Sequence, residues 1–272
     1  MTRVMGQSRT MRSVVLGMPD ATGGRDLPEE VPVAMVYNGS TYAVMMATPG
    51  DIVDFATGFA LSEQIVDTAA ELGEIEVMRH GAGIEARAWL SAERAEAMAS
   101  RRRMMTGPVG CGLCGIDSLE QALRPITPLP ATNVTLAPAE VTLALDELRG
   151  WQPLHDQTRA VHTAGFYVPG QGIVMAREDV GRHNALDKLI GALARAGIDG
   201  ATGAIALTSR ISVDMVQKCA VAGAPVLLSV SSPTAHAVEL ATGAGITVAS
   251  IARGATHVFS HPDRIKEVPH VI

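Results

Sequence analysis

The chain has 272 residues, enough for two compact units at roughly 150 residues each. Its 22 basic and 28 acidic side chains leave a net charge of −6, which argues against a nucleic-acid binder, because such affinity comes largely from clustered lysine and arginine. At 47% hydrophobic and 18% charged it can bury a sizeable core and is not of disordered composition.

No stretch approaches the ~18 uninterrupted apolar residues that cross a bilayer, so no membrane partner is expected. The first twenty residues carry Arg3, Arg9 and Arg12 without a continuous apolar run, so no secretory signal is read there. Three cysteines, two of them in one short motif, do not make a disulfide framework, and the expected location is cytoplasmic.

Residues 1–30 are polar, glycine-rich and aperiodic, and they read as a flexible N-terminal arm over 1–27. The run Pro32–Tyr37, then Asn38-Gly39, then Tyr42–Met46 is a strong hairpin signal, since a type I′ turn needs positive φ. After Pro49-Gly50-Asp51 the spacing changes to Ile52, Phe55, Ala56, Phe59 and Ala60, a helical stripe. Glu74–Arg79 and Ile84–Leu90 read as a second hairpin turning at Gly81-Ala82-Gly83, and Ser91 caps a helix running towards Arg101-Arg102-Arg103. Those arginines read as a solvated helix end, or as a guide for an acidic partner. Residues 28–106 are thus expected to form a small α+β domain.

Cys111 and Cys114 follow in Gly107-Pro108-Val109-Gly110-Cys111-Gly112-Leu113-Cys114-Gly115, and residues 107–124 are expected to be a loop and the start of a helix at Asp117-Ser118-Leu119-Glu120. Small neighbours leave room for another protein's sulfur, and a helix N-terminus favours thiolate, the reactive form. Several chemistries remain open. A structural zinc site needs four ligands, yet no second Cys-x-x-Cys exists and Cys219 stands alone on a predicted helix. A thioredoxin-like redox pair wants a core strand before it, and the approach here is Arg103-Met104-Met105-Thr106-Gly107-Pro108. Covalent sulfur carriage and two thiols without a role complete the set. Gly110–Gly115 also matches G-x-G-x-x-G, but no clear strand precedes it and no acidic residue follows in a βαβ context, so it is not read as a dinucleotide fingerprint.

Residues 124–138 hold four prolines and read as the link to a second domain, 125–272. A helix fits Glu140–Arg149 and a hairpin fits roughly 161–176. From residue 203 strand-like runs at Ala204–Leu207, Val226–Val230 and Ile246–Ile251 alternate with helix-like runs at Val213–Ala222 and Thr234–Ala241, the second closed by Gly243. That alternation implies βαβ crossovers and a parallel sheet covered on both faces.

Ligands of open α/β sheets bind beyond the carboxyl ends of the strands. Following the three strands come Thr208-Ser209-Arg210-Ile211-Ser212, Ser231-Ser232-Pro233-Thr234 and Arg253-Gly254. Hydroxyls and arginines at successive helix starts suit a phosphate or nucleotide, although serine and threonine are also ordinary caps. A second polar cluster, Glu178-Asp179-Val180-Gly181-Arg182-His183-Asn184, precedes a helix whose buried stripe is Leu186, Leu189, Ile190 and Leu193. His183 can be a satisfied structural histidine; its neighbours Arg182 and Asn184 favour ligand contact.

Gly110–Gly115, Arg177–Lys188, Ser209–Ser212 and Ser232–Ala235, with the hairpin Val31–Met46 and the helix after it, resemble the FdhD family, sulfur carrier proteins required for formate dehydrogenase activity. The resemblance covers about Pro28 to the C-terminus. It implies an α/β fold: a cytidine-deaminase-like three-layer domain with a mainly parallel sheet, a smaller α+β N-terminal domain, and homodimers. It also implies sulfur taken as a persulfide from a cysteine desulfurase and passed to the bis-molybdopterin guanine dinucleotide cofactor of formate dehydrogenase. By position Cys111 would bear the persulfide, with Cys114 assisting or relaying.

Ile251-Ala252-Arg253-Gly254-Ala255-Thr256 is similar to the family's cofactor-binding stretch. With Ser209, Arg210, Ser212, Ser232, Thr234, Arg182, His183 and Asn184 it would hold the anionic guanine-containing nucleotide. The sequence departs from the family's usual pattern at Thr158–His162, at Ile251 and at Phe259. A deaminase-like fold would not bring deaminase chemistry, since His155, His162, His183 and His236 lack a glutamate two positions on. No structural metal is expected. Two rival functions are a dithiol–disulfide oxidoreductase and a non-catalytic chaperone that binds the molybdenum cofactor.

Overall fold

The computed structural model of the chain describes residues 6–14, 16, 22–81, 83–104, 126–252 and 254–266. Strands β1 (Ser8–Val14) and β2 (Thr22–Pro28) pair antiparallel, Ser8 opposite Pro28 and Val14 opposite Thr22. The sequence reads there as a loose arm, because a polar ribbon without a buried face carries no apolar alternation to find. Glu29 N donates to Gln7 O at 2.8 Å and Arg9 pairs with Glu29 at 3.0 Å, while Gln157 Nε2 donates to Asp26 Oδ2 at 3.0 Å and ties the ribbon to a later part of the chain.

Strands β3 (Val31–Tyr37) and β4 (Ser40–Ala47) turn at Asn38 and Gly39, with φ of 49° and 78°. Both values are positive, as a type I′ hairpin demands, and asparagine and glycine tolerate them best. Helix α1 (Ile52–Ser62), β5 (Glu76–His80), β6 (Gly83–Ala88) and α2 (Ala92–Met104) follow, Ser91 Oγ accepting from Arg94 N at 3.2 Å. The four strands form one sheet in the order β4-β3-β6-β5. Val33, Met35 and Tyr37 alternate towards the same buried core as Phe55 and Phe59 of α1.

The second unit contains α3 (Pro138–Arg149), α4 (Pro153–Thr158), β7 (His162–Val168), β8 (Gly172–Asp179), α5 (Arg182–Ala196), β9 (Ala204–Leu207) and α6 (Val213–Val221). It closes with β10 (Val226–Ser229), α7 (Ala235–Ala244), β11 (Thr247–Ala252) and β12 (Ala255–Ser260). Its six strands run in the order β12-β11-β10-β9-β7-β8. The expectation of a mainly parallel sheet needs correcting. Strands β9, β10 and β11 are parallel, as the helical crossovers between them require, while β7 pairs antiparallel with β9 and β12 antiparallel with β11. Hairpins add antiparallel edges to a parallel centre, and the sheet is mixed. A smaller correction concerns α7, which runs through Gly243 and stops at Gly245, whose φ of 74° supplies the left-handed cap.

Successive residues of the central strands face opposite layers. Ile205, Leu207, Leu227 and Val248 join the core that holds α5, α6 and α7, whereas Ala204, Ala206, Val226, Leu228 and Ala249 pack with Val141, Ala144, Leu145 and Leu148 of α3. The first of these cores continues into the small unit through α1 and α5. Those helices approach so closely that a Cβ on Gly58 would sit 1.8 Å from Asp187 O, and one on Gly191 1.9 Å from Asp54 O. Only glycine fits at either place. Among the described residues no helix is long and apolar enough to cross a membrane.

Candidate functional site

Register alone assembles most of the site. Leu207, Ser229 and Ser250 lie side by side on β9, β10 and β11, so the carboxyl ends of the three parallel strands share one edge of the sheet. Strand β7 runs the other way and therefore begins at that edge, with His162 opposite Asp179 at the end of β8. The hairpin tip between β11 and β12, with Ile251 opposite Thr256, Ala252 opposite Ala255 and Gly254 at φ 77°, falls on the same side. From β11 to β7 is three strand spacings, about 14 Å. The segments that the sequence picks out separately thus meet along one rim.

Along this rim the hydroxyls differ in what they do. Ser209 is buried, and its carbonyl accepts from Ser229 Oγ at 2.6 Å. Thr208 extends the pairing of β7 and β9, its Oγ1 accepting from Thr163 N at 2.9 Å. Thr234 caps α7 by accepting from Ala237 N at 3.3 Å, while its own N–H reaches Ile211 O at 3.0 Å. Arg210 and Ser232 stand exposed. Ser250 is fully buried, yet its Oγ has no partner among the described residues.

Where α5 begins, one corner of the rim is strongly polar. His183 Nε2 lies 2.8 Å from Asp214 Oδ2, and Ser212 Oγ donates to the same oxygen at 2.8 Å. Burial raises the Asp214 carboxyl, but the bonds from His183 and Ser212 outweigh it and hold the group below its ordinary value. Arg182 follows Gly181, and its Nε is buried without a partner among the described residues. His162 is pushed down from its ordinary value by burial first, then by the positive charge of Arg182 and the nearby His155 and His183. Arg182 Nε is thus a buried donor without an acceptor among the described residues, a group that an anion's oxygen would satisfy. Among the described residues no three His, Cys, Asp or Glu side chains group as metal ligands do.

Asn184 sits elsewhere. Its amide donates to Met46 O at 2.8 Å and to Asp179 Oδ1 at 2.9 Å, which uses both hydrogens inside the junction with the small unit. Cys111, Cys114 and Arg253 lie outside the described residues. Cys219 is buried in α6, where desolvation pushes its thiol well up, so it is no nucleophile. Two members of the corner are additions to the sequence reading. His162 joins only through the antiparallel pairing of β7 with β9, which no local pattern announces. Asp214, two residues after Ser212, reads in sequence as an ordinary acid in the first turn of a helix.

A mixed α/β protein of this kind has counterparts among known proteins. Residues 28–266 match the FdhD/NarQ family. The chain is 49% identical over 258 residues to a protein of Agrobacterium fabrum named sulfur carrier protein FdhD, covering 94% of this chain and 95% of that one. A protein of Brucella abortus with the same name is 48% identical over 244 residues, 89% of this chain and 91% of its own length. A crystal structure of a putative formate dehydrogenase accessory protein from Desulfotalea psychrophila superposes with a TM-score of 0.74 at 26% identity, covering 96% of this chain and all of that one. The chain belongs to the FdhD/NarQ family.

Proposed function

We propose that this protein is a sulfur carrier serving formate dehydrogenase. Cys111, as thiolate, attacks the outer sulfur of a cysteine desulfurase persulfide; a new S–S bond forms on Cys111 and the donor cysteine leaves as thiolate. The outer sulfur then passes to a bis-molybdopterin guanine dinucleotide, a strongly anionic cargo held along the rim by Ser209, Arg210, Ser212, Ser232, Thr234, Arg182, His183 and the Ile251–Thr256 hairpin. Cys114 relays or assists: as thiolate it attacks the inner sulfur of Cys111, closing a Cys111–Cys114 disulfide while the outer sulfur leaves at sulfide level, and a thiol reductant then reopens the disulfide. The names borne by the similar proteins support this reading. The observation that carries it is the gathering of the matching segments on one sheet edge whose buried polar groups, Arg182 Nε and Ser250 Oγ, lack partners among the described residues.

The larger unit then has a cytidine-deaminase-like fold without deaminase chemistry, and the working protein is a cytoplasmic homodimer. The test is mass spectrometry after incubation with a desulfurase and cysteine. The wild-type chain should gain the mass of one sulfur atom on Cys111, and Cys111→Ala should abolish loading while guanosine diphosphate still binds. Loading that survives the substitution overturns the mechanism. A reversible Cys111–Cys114 disulfide with turnover of a generic disulfide would establish the oxidoreductase reading in its place.

A further inference from the structure

We infer that Thr48 and Asn184 are positioning residues for the rim. Through the Asp179 carboxylate they fix the Val180-Gly181 turn that places Arg182, so the small unit sets the geometry of a site built on the larger one. The inference rests on the reading of the rim as the holder of an anionic cargo and adds a remote determinant of that holding.

Three observations support it. First, the two oxygens of Asp179 divide between two tasks. Oδ2 faces the small unit, accepting from Thr48 N at 2.9 Å and from Thr48 Oγ1 at 2.8 Å, with Lys188 Nζ at 2.7 Å. Oδ1 faces the turn, accepting from Gly181 N at 2.8 Å and from Asn184 Nδ2 at 2.9 Å. Thr48 and Asp179 are both fully buried, so these bonds act at low dielectric, where they are strong. A carboxylate that served the junction alone would need only the first set. The second set restrains the chain on its way to Arg182.

Second, the turn has little slack. A Cβ on Gly181 would lie 2.9 Å from Asn184 Nδ2 and 3.5 Å from Asp179 Oδ1, so backbone and side chains are already in contact there. Asn184 is itself held from the small unit, its amide donating to Met46 O at 2.8 Å, two residues before Thr48. The end of β4 therefore grips the turn twice, once through Thr48 and Asp179 and once through Asn184. Third, Arg182 opens α5 directly after the turn, and its charge acts on both His162 and Asp214 at the rim. Its Nε is buried without a partner among the described residues, so at that atom no bond among them fixes the guanidinium, and the turn sets where it begins.

The experiment is calorimetric titration of the full chain with guanosine diphosphate, each variant being checked for folding by its melting temperature. Thr48→Val keeps the side chain's shape but removes its hydroxyl, and it should weaken binding about threefold to tenfold. Thr48→Ser, which keeps the hydroxyl, should restore it. Asn184→Ala should act as Thr48→Val does, and it carries the test where Thr48→Val does not fold. The decisive arm is a double-mutant cycle with Arg182→Gln. That substitution should weaken binding by itself, and adding Thr48→Val or Asn184→Ala to it should cost nothing further, because both act through the one guanidinium. A purely structural role would lower the melting temperature and leave the losses additive. Wild-type affinity in the folded single variants, additive losses in the cycle, or wild-type affinity in Arg182→Gln overturns the inference while leaving the rest of the rim reading in place. A wild-type chain that binds no guanosine diphosphate overturns both.

Discussion

Residues 177–188 build two regions of opposite character, a sealed junction and an open rim. On the junction side Lys188, Asp179, Asp187, Lys218, Arg177 and Asp54 are all paired. Lys188 and Asp179 are both fully buried, 2.7 Å apart, and Asp179 also accepts from Thr48 N at 2.9 Å, Thr48 Oγ1 at 2.8 Å and Gly181 N at 2.8 Å. Asp187 pairs with Lys218 at 2.6 Å and accepts from Ser62 Oγ at 2.7 Å, while Arg177 holds Asp54 at 2.7 Å. On the rim side Arg182 and Ser250 keep buried atoms without partners among the described residues; in the small unit Tyr37 Oη alone shares that state among them. Low dielectric makes a satisfied network strong and an unsatisfied group costly, so the same physics marks one side as structure and the other as a place for a ligand.

The largest effect should come from breaking the junction. Lys188→Met leaves the Asp179 carboxylate buried without its cation and should cost roughly 3–5 kcal/mol of stability in urea unfolding. A loss below about 1 kcal/mol would mean that the Thr48 and Gly181 donors alone hold that charge. Next comes the close crossing of α1 and α5. Gly191→Ala drives a methyl group against the Asp54 carbonyl, which belongs to backbone and cannot swing away, so a loss of about 1–3 kcal/mol or more is expected. Gly191→Ala does not touch the rim, whereas Lys188→Met unpairs Asp179, which also acts on His162. In Gly191→Ala the anion affinity of the fraction that remains folded should stay at the wild-type value, and a proportional loss of affinity would show that the two regions are not separable.

The sequence exposes the local elements well and the long-range ones poorly. Asn38-Gly39 between apolar runs announces the β3–β4 hairpin, and Leu186, Leu189, Ile190 and Leu193 announce the buried stripe of α5. The rim segments after β9 and β10 are legible because crossovers force parallel strands to end on one edge. What escapes is whatever depends on non-local pairing. Strand β7 looks the same in sequence whether it joins the sheet beside β9 or stands apart, so His162 cannot be placed. Asn184 has the composition of a ligand group, and only the approach of Met46 O from the small unit makes it a junction residue. The ribbon β1–β2 buries no apolar face and leaves no pattern.

The smallest expected effect tests the rim through protons alone. His162 has a folded value below its ordinary 6.5, burial being the main cause. In the window from that ordinary value down to the lowered one, the unfolded chain binds more protons than the folded chain. Stability is therefore complete above the ordinary histidine value and is lost as pH falls through this window. Asp214 acts in a separate, more acidic window: its folded value lies below 3.8, so its contribution is present above 3.8 and disappears as pH falls through the lowered value. Glu178, raised by burial, acts with the opposite sign, stability falling as pH rises from 4.5 to its raised value. Comparing wild type with His162→Gln cancels both carboxylates, because the substitution removes the histidine window and leaves the other two. Urea midpoints between about pH 7 and about pH 5 should decline more steeply for wild type than for the variant. A bound pyrophosphate diester brings negative charge to the corner and should lessen that decline in wild type, since it relieves the repulsion from Arg182 that helps to hold His162 neutral. Junction groups, already paired, should not respond to the ligand; a ligand effect of full size in His162→Gln would mean that His162 is not the group that responds.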